Sequence, residues 1–375
     1  MYVLVFIVSL AFAAAFDLNQ RDLSMARLNK TKAVHPFLGM LLAFMVLVPL
    51  CFIGCLREGV GTDYNLYESE YYQIFSGGTA HFDIGYTILN KIIIRLGLGY
   101  QFVIAISFIF FIGGVYYFVF RHCCNYVFFA TALLIFSYNY FVAYSLIAQY
   151  TAIGLLFVGL SFLFEKRYAS AIVFSVFATL IHSSAIFFFG VIVLFLFLNH
   201  RCAIRLQTMI VLMVVFGILG LACRAFIPFI VSKTRFGGYL TDPNAQDLYG
   251  SLSSNSSIVI NIAVLLFQLY LIEKDQRLLQ STQIELFIFL QFFAVFFSLL
   301  QGQIILMFRF IYYLSAFQII SLPIFISSVN SKKMQFNYCI TIVLFFFIWW
   351  LLFPMRNDYY HVLPYVSIFS EIDIF

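Results

Sequence analysis

Residues 57–86 read REGVGTDYNLYESEYYQIFSGGTAHFDIGY, a stretch dense in charge and tyrosine inside a chain that is otherwise mostly lipid-soluble. That contrast decides the fold, because a polar segment between apolar runs must sit at a membrane surface. Gly59 and Gly61 supply a flexible turn, and Thr62 or Asp63 can accept a backbone N–H as an N-cap. A helix of about three turns then runs towards Phe75 and ends at Gly77-Gly78. On it Tyr64, Tyr67, Tyr71 and Phe75 share one face, with Asp63, Glu68 and Glu70 on or beside it. Carboxylates for hydroxyls and flat rings for the apolar faces of sugars suit a carbohydrate site. The competing reading is an interfacial helix whose tyrosines form an aromatic belt.

Outward from this stretch, 63% of the 375 residues are hydrophobic and 10% charged, with a mean hydropathy of +1.00. The class is therefore a polytopic, all-α integral membrane protein. The net charge of +5 is modest and has meaning only once it is divided between the two sides of a bilayer; no nucleic-acid partner is expected. None of the seven cysteines forms a CxxC pair and most lie in apolar runs, which argues against a disulfide framework or a zinc site. The segment 1–16 ends in AFAAAF but lacks a basic leader, so it reads as a first span with its N-terminus outside.

Apolar runs of about 15 to 24 residues predict twelve spans: 1–16, 37–56, 99–120, 126–143, 145–164, 169–182, 184–199, 208–231, 258–272, 285–305, 309–329 and 338–354. The inner loops 17–36, 121–125, 165–168, 200–207, 273–284 and 330–337 then carry 13 of the 21 Lys and Arg, as the positive-inside rule requires. Residues 84–97 are predicted to be an interfacial or half-inserted helix, since Asn90, Lys91 and Arg95 interrupt them. Residues 169–199 must hold two short passes meeting at His182-Ser183-Ser184, either as two spans or as a re-entrant hairpin. The chain is read as a single transmembrane domain with outer segments 57–98, 232–257 and 354–375.

Cations on the outer side go against the bias and are candidates for function: Arg57, Lys91, Arg95, Arg224, Lys233, Arg235, Arg309 and Arg356. Binding lipid headgroups is the alternative for any one of them. His182, between two apolar stretches, is either a general base or the tie of a helix break. Arg309 with Tyr312 and Tyr313 can clamp a phosphate or anchor the helix at an interface. Lys233, Arg235 and Tyr239, beside the Gly237-Gly238 hinge, pose the same choice. Gln149 suits helix–helix hydrogen bonding. A P-loop, HExxH and GxSxG are missing, and Glu371-Ile372-Asp373 is the nearest approach to a DxD. Transferase chemistry here would use an activated donor already in the membrane, with no cofactor, nucleotide or metal.

Arg57-x-x-Val60-Gly61-Thr62-Asp63-Tyr64-x-x-Tyr67, followed by Asp83-x-Gly85-Tyr86 and Leu89-Asn90, resembles the opening signature of the EpsG-like family of bacterial O-antigen and exopolysaccharide repeat-unit polymerases of the Wzy type. The turn His182-Ser183-Ser184-Ala185, the loop Lys233-x-Arg235-Phe236-x-x-Tyr239, Arg309-x-x-Tyr312 and Pro364-Tyr365 fit the same family, over about residues 50 to 370. The chain departs from it at Ala148, before Gln149, where the family usually has arginine, so that a cation must come from Arg57, Arg235 or Arg309 or is not needed. Asp83 stands where glutamate is commoner.

The resemblance implies a GT-C-like fold with about 12 transmembrane helices plus interfacial helices on the periplasmic side of the bacterial inner membrane. It implies a glycosyltransferase that moves a growing glycan from undecaprenyl diphosphate onto a new lipid-linked repeat unit. Donor and acceptor are both undecaprenyl-diphosphate-linked oligosaccharides in membrane lipid, with a chain-length regulator and a flippase as protein partners. Under that reading Arg57, Arg235 and Arg309 hold the diphosphate, and His182 or Asp63 is the base. Tyr64, Tyr67 and Tyr239 line the glycan path, and Asp83, Gln149, Lys233, Tyr312 and Tyr365 contact substrate. The rival functions are a lipid-linked oligosaccharide flippase, which should show two similar halves, an O-antigen ligase, and a membrane O-acyltransferase using His182.

Overall fold

The computed structural model describes residues 1–28, 36–79, 81–200, 206–223, 229, 232, 255–301 and 307–369. Its helices are α1 (Tyr2–Leu28), α2 (Pro36–Cys55), α3 (Tyr64–Phe75), α4 (Ile84–Arg95), α5 (Tyr100–His122), α6 (Val127–Phe136), α7 (Asn139–Ser145), α8 (Ile147–Phe164), α9 (Tyr168–Ile181), α10 (Phe187–Asn199), α11 (Leu206–Cys223), α12 (Asn255–Lys274), α13 (Thr282–Gln301), α14 (Met307–Ala316), α15 (Gln318–Ser327) and α16 (Lys332–Trp350). Among the described residues there is no sheet; an isolated bridge joins Arg57 to Ser367. The chain is an all-helical, multi-pass membrane protein.

The count of about twelve spans is not supported. Among the described residues seven helices are long and apolar enough to cross a membrane, or eight if the pair α6 and α7, bent by 50°, is one crossing. Three of the predicted spans fall short of a plain crossing: one run bends, and the two passes predicted within 169–199 are short helices. The run 126–143 turns at Tyr138, whose φ of 68° is left-handed. The run 169–199 divides at His182 into helices of 14 and 13 residues, each reaching only about 20 Å at 1.5 Å per residue.

The chain forms two compact units, residues 1–189 with 337–375, and residues 190–336. In the first, α5 and α8 cross backbone to backbone: a Cβ on Gly114 would collide with the Gly154 carbonyl oxygen. At one end of these helices Asp17 accepts the N–H groups of Val127 (2.9 Å) and Phe128 (3.0 Å). Arg121 pairs with Glu165 at 2.8 Å at the same end. At the other end lie α3, α4, the loop 56–63 and residues 358–369. Within the first unit the loops 121–125 and 165–168, assigned to the inner side, thus share one end with Asp17, and the described residues of the outer segments 57–98 and 358–369 share the other.

The 12-residue α4 is about 18 Å long and too short to cross. Both its ends tie to the same end of the unit, Asp83 to Ser183 and Leu98, through its carbonyl, to the Tyr71 hydroxyl. Residues 84–97 therefore hold one helix that is shorter than a crossing.

In the second unit, α12, α13 and α15 are joined by buried amides. Gln318 donates to Asn261 Oδ1 (2.7 Å) and Gln291 Oε1 (3.1 Å), and Asn261 donates to Ser298 Oγ (2.9 Å). In a helix bundle that excludes water such amides hold helices in register.

Candidate functional site

The loop after α2 is built around Arg57, which is 0% exposed. Its Nη1 donates to the Gly54 carbonyl at 2.6 Å and its Nη2 to the Tyr144 carbonyl at 3.3 Å. The guanidinium lies 4.4 Å from the Tyr144 ring centroid and 5.6 Å from that of Phe108. Its Nε has no hydrogen-bond partner, and no carboxylate among the described residues pairs with it. Two carbonyls and two ring faces lessen the several kcal/mol that burying such an ion costs, without supplying a counter-charge. A buried cation with no carboxylate paired to it among the described residues is a candidate for function.

The loop is held on every side. Gln101 Nε2 donates to the carbonyls of Cys55 and Arg57, and the Thr62 N–H donates to Ser145 Oγ at 2.9 Å. Gly61, at φ 114°, lies where a Cβ would stand 2.5 Å from the Tyr144 carbonyl oxygen; no other residue fits there. Residues 361–368 strap the outer edge. The N–H groups of Glu58 and Gly61 donate to Val366 and His361, and that of Ile368 to Leu56. Tyr365 donates to the Ile53 carbonyl at 3.0 Å and packs edge-on against Tyr2.

A second cluster is centred on His182. The residue is extended (φ −149°, ψ 111°) between α9 and a short 3-10 turn, so the break predicted at His182-Ser183-Ser184 is present. Asp83 Oδ2 lies 3.5 Å from His182 Nδ1 and accepts the Ser183 N–H at 2.8 Å. The two side chains are 14% and 15% exposed. What places them is Gly85: a Cβ there would stand 2.7 Å from the carbonyl carbon and oxygen of Leu180. The Asp-x-Gly-Tyr motif therefore presses the start of α4 onto the end of α9. Asp83 N-caps α4 in extended backbone but makes no side-chain cap bond to it; its carboxylate is turned to the other helix.

Asp63, half-buried at the start of α3, likewise makes no side-chain cap bond, and accepts from the Thr62 hydroxyl at 3.0 Å. Tyr64 and Tyr71 are 4% and 3% exposed and pack with Tyr86 and Tyr100, whereas Phe75 is 65% exposed. Tyr67 bridges α3 and α8: its ring stacks on Phe82 at 4.9 Å and its hydroxyl accepts the Ala148 N–H at 3.3 Å. Gln149 is buried beside it at the start of α8. One apolar cluster contains Tyr67, Phe82, Tyr86, Ala148 and Ile181. It thereby gathers the chain neighbours of Asp83, Gln149 and His182. Burial pushes the phenols of Tyr64 and Tyr365 up to about 12, with the Arg57 charge pulling the other way.

Of the residues singled out by sequence, Arg57, Asp63, Tyr64, Tyr67, Asp83, Gln149, His182 and Tyr365 lie at one end of the first unit. Arg309 and Tyr312 stand one turn apart on α14 in the second unit, both half-buried. Lys233, Arg235 and Tyr239, with Arg224, Glu371 and Asp373, lie outside the described residues. Sequence reasoning missed Tyr144, Ser145 and Gln101, which shape the Arg57 loop. They sit in apolar helices and reach it only through tertiary contacts, so no local pattern marks them. Among the described residues no group of three or more His, Cys, Asp or Glu could hold a metal ion.

Compared with known families, the chain matches over residues 40–367 the model described as the EpsG family. No curated protein and no solved structure matches.

Proposed function

The chain belongs to the EpsG family, and from that premise we propose that it is a repeat-unit polymerase of the O-antigen type. It transfers a growing glycan from undecaprenyl diphosphate to the terminal sugar hydroxyl of a new undecaprenyl-diphosphate-linked repeat unit, at the periplasmic face of the bacterial inner membrane. The observation that supports this reading is Arg57, a fully buried cation with an unsatisfied Nε and no paired carboxylate among the described residues. A lipid diphosphate would bring a counter-charge to it.

In the reaction the bond from the sugar C1 to the diphosphate oxygen breaks and the bond from C1 to the acceptor oxygen forms. The diphosphate leaves with the electron pair, and the acceptor hydroxyl gives its proton to a base. The protein must therefore stabilise charge on the leaving group, orient two glycans and take one proton. Arg57 serves the first task; His182 or Asp63 serves the last. Tyr67, Gln149 and Tyr365 border the glycan path.

Deleting the gene and separating the surface polysaccharide tests the reading. A core carrying a single repeat unit is expected, with the ladder restored by the wild-type gene and not by Arg57→Ala. An unchanged ladder overturns the proposal, and core with no repeat unit transfers it to a flippase or ligase.

A further inference from the structure

We propose that Asp83 is the positioning residue for His182, which makes His182 rather than Asp63 the proton acceptor; this rests on the polymerase reading above. Three features converge on it. Asp83 Oδ2 faces His182 Nδ1 at 3.5 Å. The same oxygen accepts the Ser183 N–H at 2.8 Å, which locks the carboxylate to the backbone that carries the imidazole. The glycine two residues on lets the two helices approach closely enough for both contacts.

A carboxylate at Nδ1 selects the tautomer with its proton on that nitrogen and leaves Nε2 as the basic one. As a lone pair of the acceptor oxygen bonds to C1 and the diphosphate departs with the pair of the broken bond, the hydroxyl proton passes to Nε2 and its O–H pair stays on the acceptor oxygen; the imidazolium that forms is stabilised by the Asp83 charge. Asp63 Oδ1 is already engaged by the Thr62 hydroxyl, whereas the imidazole has a carboxylate to orient it.

The alternative role of Asp83 is a cap for the 3-10 turn alone, and the experiment separates the two. Full-length protein in nanodiscs is assayed with purified lipid-linked repeat unit as Asp83→Asn, Asp83→Glu and His182→Ala. The asparagine keeps an oxygen for the Ser183 N–H but loses the charge. Expected for it are an unchanged Tm, a KM within about twofold of wild type and a kcat lower by about 100-fold or more, partly restored in the glutamate variant. In histidine-labelled protein the 15N signals of His182 should show the Nδ1–H tautomer in wild type and a mixture in Asp83→Asn. A wild-type kcat and unaltered tautomer in Asp83→Asn, with His182→Ala inactive, overturn the positioning role and leave the polymerase intact. Loss of Tm, KM and kcat together, with no rescue by glutamate, reduces Asp83 to a cap. Wild-type protein that elongates no repeat unit overturns the polymerase reading instead, and the tautomer signals still decide whether Asp83 orients His182.

Discussion

Gly85 meets the backbone of Leu180 so closely that a Cβ on it would stand 2.7 Å from the Leu180 carbonyl. That approach sets the distance between Asp83, two residues before it, and His182, two residues after Leu180. Gly85→Ala must therefore push α4 away from α9. Such overpacking costs about 1–3 kcal/mol and opens the Asp83–His182 contact. The expected result is a protein that is still inserted, melts several degrees lower in detergent and makes no long polysaccharide. A full-length ladder from Gly85→Ala cells would show that the contact has no bearing on activity.

Arg57 offers a sharper separation of stability from function. A buried ion without a counter-ion is costly to fold, so an apolar residue of similar length should be tolerated or even stabilising. Arg57→Met is expected to keep or raise the Tm and to abolish chain elongation. Arg57→Lys keeps the charge but not the fork that holds two oxygens, and should retain only a small part of the activity. If Arg57→Met unfolds the protein, the arginine is a structural tie of the loop to Gly54 and Tyr144.

Much of this site was legible in the chain. The helix 64–75 between an aspartate and a glycine pair and the break at His182 both follow from local chemistry. Three things were not. Tyr138 turns left-handed inside an apolar run with no glycine or proline to mark it, so the span 126–143 looked unbroken. Asp83 and His182 are far apart in sequence, and tertiary contacts such as that of Gly85 with Leu180 bring them together. The pairing of residues 366–368 with the Arg57 loop uses backbone groups, which leave no signature in side-chain pattern.

The phenols of the outer segments give a pH prediction. Burial raises Tyr64 and Tyr365 from the ordinary 10.0 to about 12. A proton held more tightly in the folded than in the unfolded chain contributes stability that is complete below pH 10 and is lost as the pH rises towards 12. The Tm of the solubilised protein should fall across that window, and Tyr365→Phe should flatten part of the fall while losing about 1 kcal/mol at neutral pH with its bond to Ile53. A Tm that is level from pH 10 to 12 would contradict the burial of these rings.

The amide cluster of the second unit carries the last prediction. Gln318 gives its two N–H donors to Asn261 and Gln291 at 2.7 and 3.1 Å, with all three residues no more than 2% exposed. Gln318→Leu leaves two buried acceptors with fewer donors, and in a bundle without water they cannot be resolvated. The cost should be about 1–2 kcal/mol, near the upper range of such bonds between membrane helices. Removing the acceptors as well, in Asn261→Leu/Gln291→Leu/Gln318→Leu, replaces the network by apolar packing and should recover much of that loss. Thermal melts in nanodiscs of constant lipid composition would measure both. A triple variant less stable than Gln318→Leu would mean that the amides provide net attraction between α12, α13 and α15, beyond setting their register.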